Sequence, residues 1–390
     1  MRTPMRIDPE LDPFLTRHGL GTARPETAKH QNGRNTNLLV VTTTGHALFV
    51  KRVNTGSHDA AERIAACRAF EELRRTDLGV RRSLGTAPLL ACDPELGLLA
   101  YQAVTGATSL AELSGEDPRA DGPLAPHVPG MGRLLAAVHA LDVERVPPRS
   151  GPPGMPPVDW LQELPWRMHQ SATAPVLEVW RRLQGDPEVA AALRTLRADE
   201  DAAVRERPVA VHGDVRLDQL LVGHDDVLRL VDLEEFRRGD AARDVGAMVG
   251  EWLHRATLDI VEDHVTDPEA GAGPGERARA AVADLQLTHD EVVASGTAAL
   301  ERRRVVVERF WEAYTSAGGQ HDPAFVERVT RFAGWHLFDR LIAVAEHTSR
   351  ISAVHWAAAG IGRRALLDPA AAAPALGLPD PRTATEETAA

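Results

Sequence analysis

Polar side chains that can bind a metal ion lie between apolar runs in the middle of the chain. The segment VAVHGDVRLDQLLV, residues 209–222, contains Asp214 and Gln219, and the next apolar run ends at Asp232. Carboxylate and amide oxygens are hard ligands that suit Mg²⁺, which also binds phosphate oxygens. Each of the three residues alone is typical of a surface turn. Together, beside apolar runs, they favour a cation site, because a buried carboxylate is costly unless its charge is compensated.

The apolar runs on either side of the sequence GHDD predict a β-hairpin that gathers these groups. If Val222 pairs with Val227, Asp232 lies diagonally beside Gln219, just past the end of the ladder. Asp214 precedes the same strand on a short loop. Local pairing therefore brings two carboxylates and one amide to one end of the hairpin.

Lysine is rare in this chain, and one of its two lysines stands in a predicted strand. Of the 44 basic residues, only Lys29 and Lys51 are lysines. The sequence predicts a β-hairpin of strands 38–44 and 47–53 around a Gly45-His46 turn. Lys51 lies in the second strand, on the same face as Phe49 and Val53. A lysine among apolar neighbours requires an anionic partner. The alternative is a lysine on an edge strand that reaches solvent.

These motifs resemble the aminoglycoside phosphotransferase/choline-kinase family of protein-kinase-like enzymes. The family pattern is His-Gly-Asp, then Asn five residues after that Asp, then Asp-Trp-Glu, then Gly-Asp-Pro-Ala-x-Asp. The matching residues are His212, Gly213, Asp214, Asp232, Glu234, Gly239, Asp240 and Asp244. The sequence departs from the pattern at Gln219 in place of Asn, Leu233 in place of Trp and Ala241 in place of Pro.

The resemblance implies a role for each residue of the middle segment. Asp214 would accept the proton of the acceptor hydroxyl or orient it, and His212 would brace the loop. Asp232 and Gln219 would hold Mg²⁺, although Gln219 could instead mark a one-metal site or a weakened enzyme. Arg216 could reach the transferring phosphate or simply face solvent. Asp244 would anchor backbone or arginine groups behind the loop.

The resemblance also implies a nucleotide site in the amino-terminal part of the chain. Lys51 would hold the α- and β-phosphates of ATP and pair with a helix glutamate, with Glu71 as the candidate and Glu72 as the alternative. The NGRNTN sequence would cover the phosphates of ATP through Gly33, Arg34 and Asn35. The backbone of Gln102 to Val104 would contact the adenine ring. His139, in a predicted helix, would be structural.

The order of predicted elements indicates an α+β fold with two lobes, and the resemblance implies that this is the protein-kinase-like fold. Strands and one helix predict a small antiparallel-sheet lobe over residues 1–103. Helical periodicity, including stretches at 294–316 and 323–347, predicts a larger helical lobe over 104–368. The Ala/Pro-rich segment 369–390 is expected to be a flexible tail.

Composition excludes several classes of protein. The net charge of -12 over 390 residues argues against nucleic acid as a partner. Two cysteines, Cys67 and Cys92, build neither a disulfide framework nor a zinc site. The amino terminus lacks an apolar signal core, and no stretch is long and apolar enough to span a membrane. A cytoplasmic protein without membrane or nucleic-acid partners is expected.

Three longer segments resemble one branch of the family more closely. They are NGRNTNLLVVTTTGHALFVKRV, HGDVRLDQ and EEFRRGDAARDVGAMVGEWLHRA. That branch contains stand-alone kinase subunits that phosphorylate Ser/Thr of class V lanthipeptide and thioamitide precursor peptides for elimination by a separate lyase. The resemblance implies a precursor peptide as substrate and a lyase as partner. A small-molecule kinase and a kinase-shaped scaffold that activates another enzyme are the alternatives, and Gln219 is the main feature that favours the scaffold.

Overall fold

The computed structural model describes residues 8–31, 36–77, 84–116, 122–147, 156–262 and 289–383. The chain divides into two compact units. The first contains residues 1–108, 142–149 and 219–238, and the second contains residues 109–141, 150–218 and 239–390. The predicted boundary at 103/104 places the segment 219–238 with the helices, whereas it belongs to the first unit. Leu230 in that segment donates its N–H to Gly85 O at 2.9 Å, which ties the segment to residues far earlier in the chain.

A five-stranded antiparallel sheet forms the centre of the first unit. Its strands are β1 (Lys29–Gln31), β2 (Thr36–Val41), β3 (Ala47–Arg52), β4 (Leu89–Asp93) and β5 (Leu98–Gln102), in the order β1-β2-β3-β5-β4. The predicted hairpin of β2 and β3 is confirmed, and Lys51 lies opposite Asn37 of β2 and Leu99 of β5. Because β3 is an interior strand and Lys51 is buried, the edge-strand alternative for this lysine is wrong.

The two faces of this sheet pack against different helices. The helices of the first unit are α1 (Leu11–Arg17) and α2 (Ala60–Thr76). Leu48 and Val50 of β3 belong to an apolar cluster with α1. Val53 belongs to a second cluster with Ile64 of α2. Side chains alternate along a strand, so Lys51 is on the α2 side of the sheet.

The hairpin near the middle of the chain has a different register from the predicted one. It consists of β8 (Leu220–Val222) and β9 (Leu228–Leu230), and Val222 pairs with Leu228 rather than with Val227. The turn contains one more residue than expected, because Asp226 adopts the left-handed conformation with φ 56°. Its N–H donates to Gly223 O at 3.0 Å and closes the longer turn.

Helices make up most of the second unit. They are α3 (Leu110–Glu116), α4 (Val128–His139), α5 (Trp166–Ser171), α6 (Ala174–Gln184), α7 (Pro187–Glu206), α8 (Ala241–Glu262), α9 (His289–Ser316), α10 (Pro323–His347), α11 (Ala353–Leu367) and α12 (Pro369–Ala372). Three further short strands are β6 (Thr108–Ser109), β7 (Val209–Val211) and β10 (Arg237–Gly239). The predicted helix 323–347 is confirmed, and the helix predicted at 294–316 begins five residues earlier. The apolar stripe that periodicity predicts on α8 is buried throughout: Val245, Met248, Val249, Trp252, Leu253 and Ala256.

The carboxyl-terminal segment is folded where a flexible tail was the expectation. Asp368 caps α12 by accepting the Ala371 N–H, and a turn of 3₁₀ helix follows at Ala373–Leu376. Leu376 and Leu378 are 5% and 4% exposed. The prediction is therefore wrong from 369 to at least 378, because these few apolar side chains lie against α9 and α10 and are buried there.

Over the ranges that the structure describes, no helix combines the length and the apolar character that a membrane span needs.

Candidate active site

Two carboxylates hold Lys51 in the first unit. Its ammonium group forms ion pairs with Asp232 and with Glu234, the latter at 2.6 Å from Oε2. Burial alone would lower the pKa of Lys51, but the two carboxylates outweigh it and raise the pKa above the ordinary 10.5. Lys51 is therefore a fixed cation at physiological pH, which is the kind of group that can neutralise the phosphates of a nucleotide.

Arg63 of α2 is a second cation at Glu234, and it belongs to none of the motifs from which the site was predicted. It is 5% exposed and forms an ion pair with Glu234. Burial lowers the pKa of Arg63, whereas Glu234 raises it, and the net shift is upward. A signal was present in the sequence, because Arg63 shares the core-facing stripe of α2 with Cys67 and Phe70. An arginine on such a stripe indicates a buried acidic partner.

The predicted pairing of Lys51 with Glu71 is corrected by the structure. Glu71 instead accepts two hydrogen bonds from Arg74, at 2.8 Å from Nε and 2.7 Å from Nη2, and a third from the Leu89 N–H at 3.2 Å. Arg74 is three residues along the same helix and is the nearest cation that Glu71 can reach. The alternative, Glu72, is exposed. Glu234 takes the place of the helix glutamate as the partner of Lys51.

A neutral thiol and a neutral phenol lie close to this ion-pair cluster. Burial raises the pKa of Cys67 to about 12, against a smaller opposing effect from its hydrogen bond with Tyr101. Burial also raises the pKa of Tyr101. Neither group ionises near neutral pH, so the described charges next to Lys51 come from Asp232, Glu234 and Arg63.

Asp232 and Gln219 end the two strands of the β8–β9 hairpin. Val231 donates its N–H to Gln219 O at 3.0 Å, so the ladder extends to Gln219 and Asp232 follows directly. Gln219 is buried, and the Asp232 side chain is 31% exposed. No group of three or more His, Cys, Asp or Glu side chains suited to a metal is present among the described residues. One carboxylate and one amide oxygen still fit Mg²⁺, which takes most of its other ligands from phosphate and water.

The 212–218 loop carries Asp214 and belongs to the second unit. Arg216 donates from Nη1 to Asp214 Oδ2 at 2.8 Å and from Nε to Asp218 Oδ1 at 3.1 Å. The Asp214 side chain is 51% exposed, whereas that of Arg216 is 24% exposed. Burial lowers the pKa of Arg216, but the attraction of Asp214 and Asp218 is larger and raises the pKa above its ordinary value. The loop therefore presents one accessible carboxylate that is steadied by a permanently charged guanidinium.

Asp244 of α8 anchors the start of this loop. Its carboxylate accepts the N–H of His212 at 2.7 Å and the N–H of Gly213 at 2.9 Å. It is fully buried, which raises its pKa, yet its hydrogen bonds and the nearby histidines lower the pKa below the ordinary value. His139 lies 3.3 Å from Asp244 through Nε2 and 2.9 Å from the Tyr314 hydroxyl through Nδ1. The predicted anchoring contact of Asp244 and a structural position for His139 are both present.

The remaining predicted nucleotide contacts lie in two places. Gly33, Arg34 and Asn35 fall outside the described residues. Gln102 ends β5 and donates its N–H to Pro88 O at 2.9 Å, and Val104 follows it half-buried. The adenine contacts of this segment stay predictions.

Comparison with known proteins identifies the family. The model of the phosphotransferase enzyme family, APH, matches residues 30–285. No curated protein matches the chain. Amicoumacin kinase hAmiN, solved in complex with AMP-PNP, Ca²⁺ and Ami, aligns with 93% of this chain and 94% of its own, at 12% identity and a TM-score of 0.51. Macrolide 2'-phosphotransferase MphH from Brachybacterium faecium aligns with 93% of this chain and 99% of its own, at 17% identity and a TM-score of 0.44.

The family match covers well over half of the chain and includes both the lysine strand and the 212–218 loop. The likeness to amicoumacin kinase shows the same α+β, protein-kinase-like fold. The chain therefore belongs to the phosphotransferase enzyme family and is an ATP-dependent kinase whose phosphate acceptor is a hydroxyl group.

Proposed function

We propose that this kinase phosphorylates Ser/Thr hydroxyls of a ribosomally made precursor peptide, and that a separate lyase then eliminates the phosphate. The observation that carries the nucleotide part of the proposal is the buried Lys51 in an interior strand, paired with Asp232 and Glu234. A lysine in such a position has no structural need that an apolar residue would not meet better. A role in binding phosphates explains its presence.

Lys51, Glu234 and Arg63 would act together on the nucleotide. Lys51 neutralises the α- and β-phosphates, as the family resemblance implies. Glu234 stays bonded to Arg63 as well as to Lys51, so it keeps the lysine in place when Asp232 turns to another cation. In this way the buried Glu234 carboxylate would position Lys51, and the more exposed Asp232 carboxylate would remain available to a metal ion.

Asp232 and Gln219 would hold Mg²⁺, and the ion would supply positive charge to the β- and γ-phosphates. The departure from Asn at position 219 leaves the amide oxygen in place, one methylene further from the backbone. Gln219 belongs to the same hairpin end as Asp232, which supports a ligand role for both.

Asp214 would orient the acceptor hydroxyl and accept its proton as the new P–O bond forms. Half of its side chain is exposed, so a substrate can reach it. Arg216 holds the carboxylate at 2.8 Å and restricts its rotation. Phosphoryl transfer depends mainly on such positioning and on charge neutralisation.

The peptide acceptor and the lyase partner rest on the sequence resemblance of the three long segments. The division of labour has a chemical reason, because phosphate is a far better leaving group than hydroxide. A small-molecule acceptor is the alternative, and a scaffold that binds ATP without transfer is the third outcome of the test.

The test is a transfer assay with ATP, Mg²⁺ and the candidate peptide, alone and with the candidate lyase, read by mass spectrometry. We expect a gain of one phosphate group on the peptide, and we expect Asp214→Asn to lower the rate by about 10²–10⁴-fold with little change in ATP affinity. The matched control is Asp225→Asn, because Asp225 also pairs with an arginine and its side chain is 52% exposed. An unchanged rate in Asp214→Asn would refute the assigned base. Transfer only to small molecules would refute the peptide as the acceptor. ATP binding without any transfer would refute the proposed phosphoryl transfer.

A further inference from the structure

Helix α8 holds the 212–218 loop at two points, and only the first belongs to a family motif. Asp244 accepts the N–H groups of His212 and Gly213 at the start of the loop. Glu251, seven residues later in α8, accepts the N–H of Leu217 at 3.1 Å through Oε2. Residues seven apart lie on the same face of a helix. The stretch that carries Asp214 is therefore suspended between two carboxylates of one helix.

Several groups hold the Glu251 side chain in place. Its Oε1 lies 2.7 Å from His336 Nε2 of α10. Burial raises the pKa of Glu251, but the hydrogen bond with His336 and the charges of His336 and Arg340 lower it well below its ordinary range. The carboxylate is thus ionised at neutral pH. A buried charge is unfavourable unless partners compensate it. The partners of Glu251 are His336, the Leu217 N–H, Arg340 and Arg216.

The packing of α8 against α10 brings His336 to Glu251. A Cβ at Gly250 would lie 2.7 Å from His336 Cγ, and a Cβ at Gly246 would lie 2.7 Å from Val329 O. These two glycines, one turn apart, let α10 approach α8 closely. The partner of Glu251 is therefore set by helix packing and not by the loop.

Glu251 also acts on the side chain that steadies Asp214. Its charge is one of those that raise the pKa of Arg216. Arg216 in turn donates to Asp214 Oδ2 at 2.8 Å. Two routes thus lead from Glu251 to Asp214, one through the backbone of Leu217 and one through the guanidinium of Arg216.

We propose that Glu251, supported by His336, is a positioning residue that orients Asp214 by fixing the Leu217 backbone and by attracting the Arg216 guanidinium. The inference rests on the role proposed for Asp214. In this role Glu251 contacts neither substrate nor nucleotide and acts only through the 212–218 loop. Its removal would leave Asp214 in the chain but allow it to sample orientations that do not meet the acceptor, and misplacement of about 1 Å can cost about 10²-fold in rate.

The variant Glu251→Gln tests the proposal because it keeps the size and one oxygen acceptor but removes the charge. The matched control is Asp259→Asn, which removes the charge of a fully buried carboxylate in the same helix, paired with Arg255 and Arg303. Both variants lose a buried charge on the same helix, so a merely structural effect would appear in both. Of these two carboxylates, Glu251 alone contacts the 212–218 loop among the described contacts.

Two measurements on the full chain separate these cases. Hydrogen exchange followed by mass spectrometry should show faster exchange at residues 212–218, about 10-fold or more for Leu217, in Glu251→Gln and not in Asp259→Asn. Steady-state kinetics with Mg·ATP should show kcat lowered about 10–100-fold in Glu251→Gln, with KM for ATP within about 3-fold of wild type. The transfer is followed with the peptide, or as hydrolysis of ATP if water is the acceptor. Asp259→Asn should leave both kcat and KM unchanged.

Each result decides the proposal. Wild-type exchange at Leu217 in folded Glu251→Gln, or an unchanged kcat, overturns it. If Glu251→Gln does not fold, Glu251→Asp keeps the charge but shortens the reach, and it must still show faster exchange at Leu217 than wild type. If wild type itself transfers no phosphate, the proposed function fails, and the exchange data alone decide whether Glu251 orders the loop.

Discussion

Glu234 shows how one carboxylate can serve two cations of different type. Lys51 presents a compact ammonium group, whereas Arg63 presents a planar guanidinium with several donors. In a chain with only two lysines, the retention of lysine at position 51 fits a requirement for a small point charge. Arginine would fill more of the space between β3 and the carboxylates. The identity of residue 51 is thus consistent with the role proposed for it at the phosphates of the nucleotide.

The two lysines allow a matched experiment. Lys51→Met should keep the fold, because Met suits an interior strand, but should lower phosphoryl transfer by about 100-fold or more through loss of a fixed charge at the phosphates. Lys29→Met, at an exposed position of β1, should leave transfer unchanged. The measurement is the transfer rate together with the Kd of ATP. Equal activity of the two variants would remove Lys51 from the nucleotide site.

Asp232 is a residue under backbone strain at the place where function is expected. Its φ of 66° lies in the left-handed region, which costs a non-glycine residue about 1 kcal/mol or more. Asp tolerates this region better than most residues, since its short side chain can bond locally. The strained conformation ends the β9 strand and starts the short helix at Leu233–Glu235. It thereby brings the carboxylates of Asp232 and Glu234 to the ammonium group of Lys51.

At the scale of elements, α2 and α8 have comparable tasks. Helix α2 carries Arg63 to Glu234, and its Phe70 packs edge-on against Phe236 with ring centroids 5.1 Å apart. Helix α8 carries Asp244 and Glu251 to the 212–218 loop. In both cases an apolar stripe fixes the helix, and charged residues of the helix reach a partner outside it. The packing of each helix therefore determines where these charged side chains lie.

The close packing of α8 and α10 can be tested at one glycine. Gly250→Ala should lower the free energy of unfolding by about 1–3 kcal/mol, because the new methyl group would overlap His336. Gly360→Ala in α11 is the control. Nothing lies within 4 Å of its added Cβ, so the better helix propensity of Ala should raise stability by about 0.5–1 kcal/mol. Urea unfolding measures both, and a neutral Gly250→Ala would contradict the close approach of the two helices.

The carboxyl-terminal segment is another element whose packing can be measured. Leu376→Ala should destabilise the protein by about 2–5 kcal/mol, since it removes a side chain that is buried to 5% exposure. Arg382→Ala, whose side chain is 62% exposed, should change stability by less than about 0.5 kcal/mol. A loss of stability in the first variant no larger than in the second would restore the expectation of a flexible tail.

At the scale of the whole molecule, buried charges make stability depend on pH. In the second unit, Glu200 pairs with Arg243 at 2.7 Å and Asp259 pairs with Arg303 at 2.8 Å, and all four side chains are buried. Breaking such pairs leaves an uncompensated buried charge, which is strongly destabilising. Asp244 and Glu251 have pKa values that partners lower in the native state, so the stability that their ionised forms contribute is lost as the pH falls.

His254 supplies a specific part of this pH dependence. Burial, reinforced by Arg340 and neighbouring histidines and opposed by Glu251, lowers its pKa from 6.5 to about 3. The native state keeps His254 neutral while the unfolded state gains a proton below pH 6.5, so stability falls as pH decreases from 6.5 towards 3. Between pH 8 and pH 5 this one group should cost about 2 kcal/mol.

The variant His254→Gln should lose that part of the slope. Urea unfolding at pH 8 and pH 5 gives the difference in free energy of unfolding for each protein. His46→Gln, at an exposed turn, is the control and should keep the wild-type slope. A slope that is the same in His254→Gln and in wild type would show that other groups carry the acid sensitivity.

Local patterns in the sequence predicted much of the fold. The helix at 323–347, the buried stripe of α8 and the β2–β3 hairpin follow from the spacing of apolar residues, which depends only on the period of each element. The family motifs also pointed to Asp214, Asp232 and Asp244, because each motif is short and contiguous, whereas the rarity of lysine and its place in an apolar strand pointed to Lys51. The register of β8 and β9 was missed by one residue, since a left-handed aspartate in a turn leaves no clear mark in sequence.

Only the tertiary structure decided which charged groups meet. Lys51 and Arg63 reach Glu234 from more than 170 residues away, while Glu71 turns to a closer arginine. Glu251 meets Leu217 of the loop, and it also meets His336 because two glycines let α8 and α10 approach. The apolar carboxyl-terminal residues are buried against α9 and α10, and their own spacing does not show this. Periodicity sets the face of each helix or strand, whereas the partner across the core depends on how those faces pack.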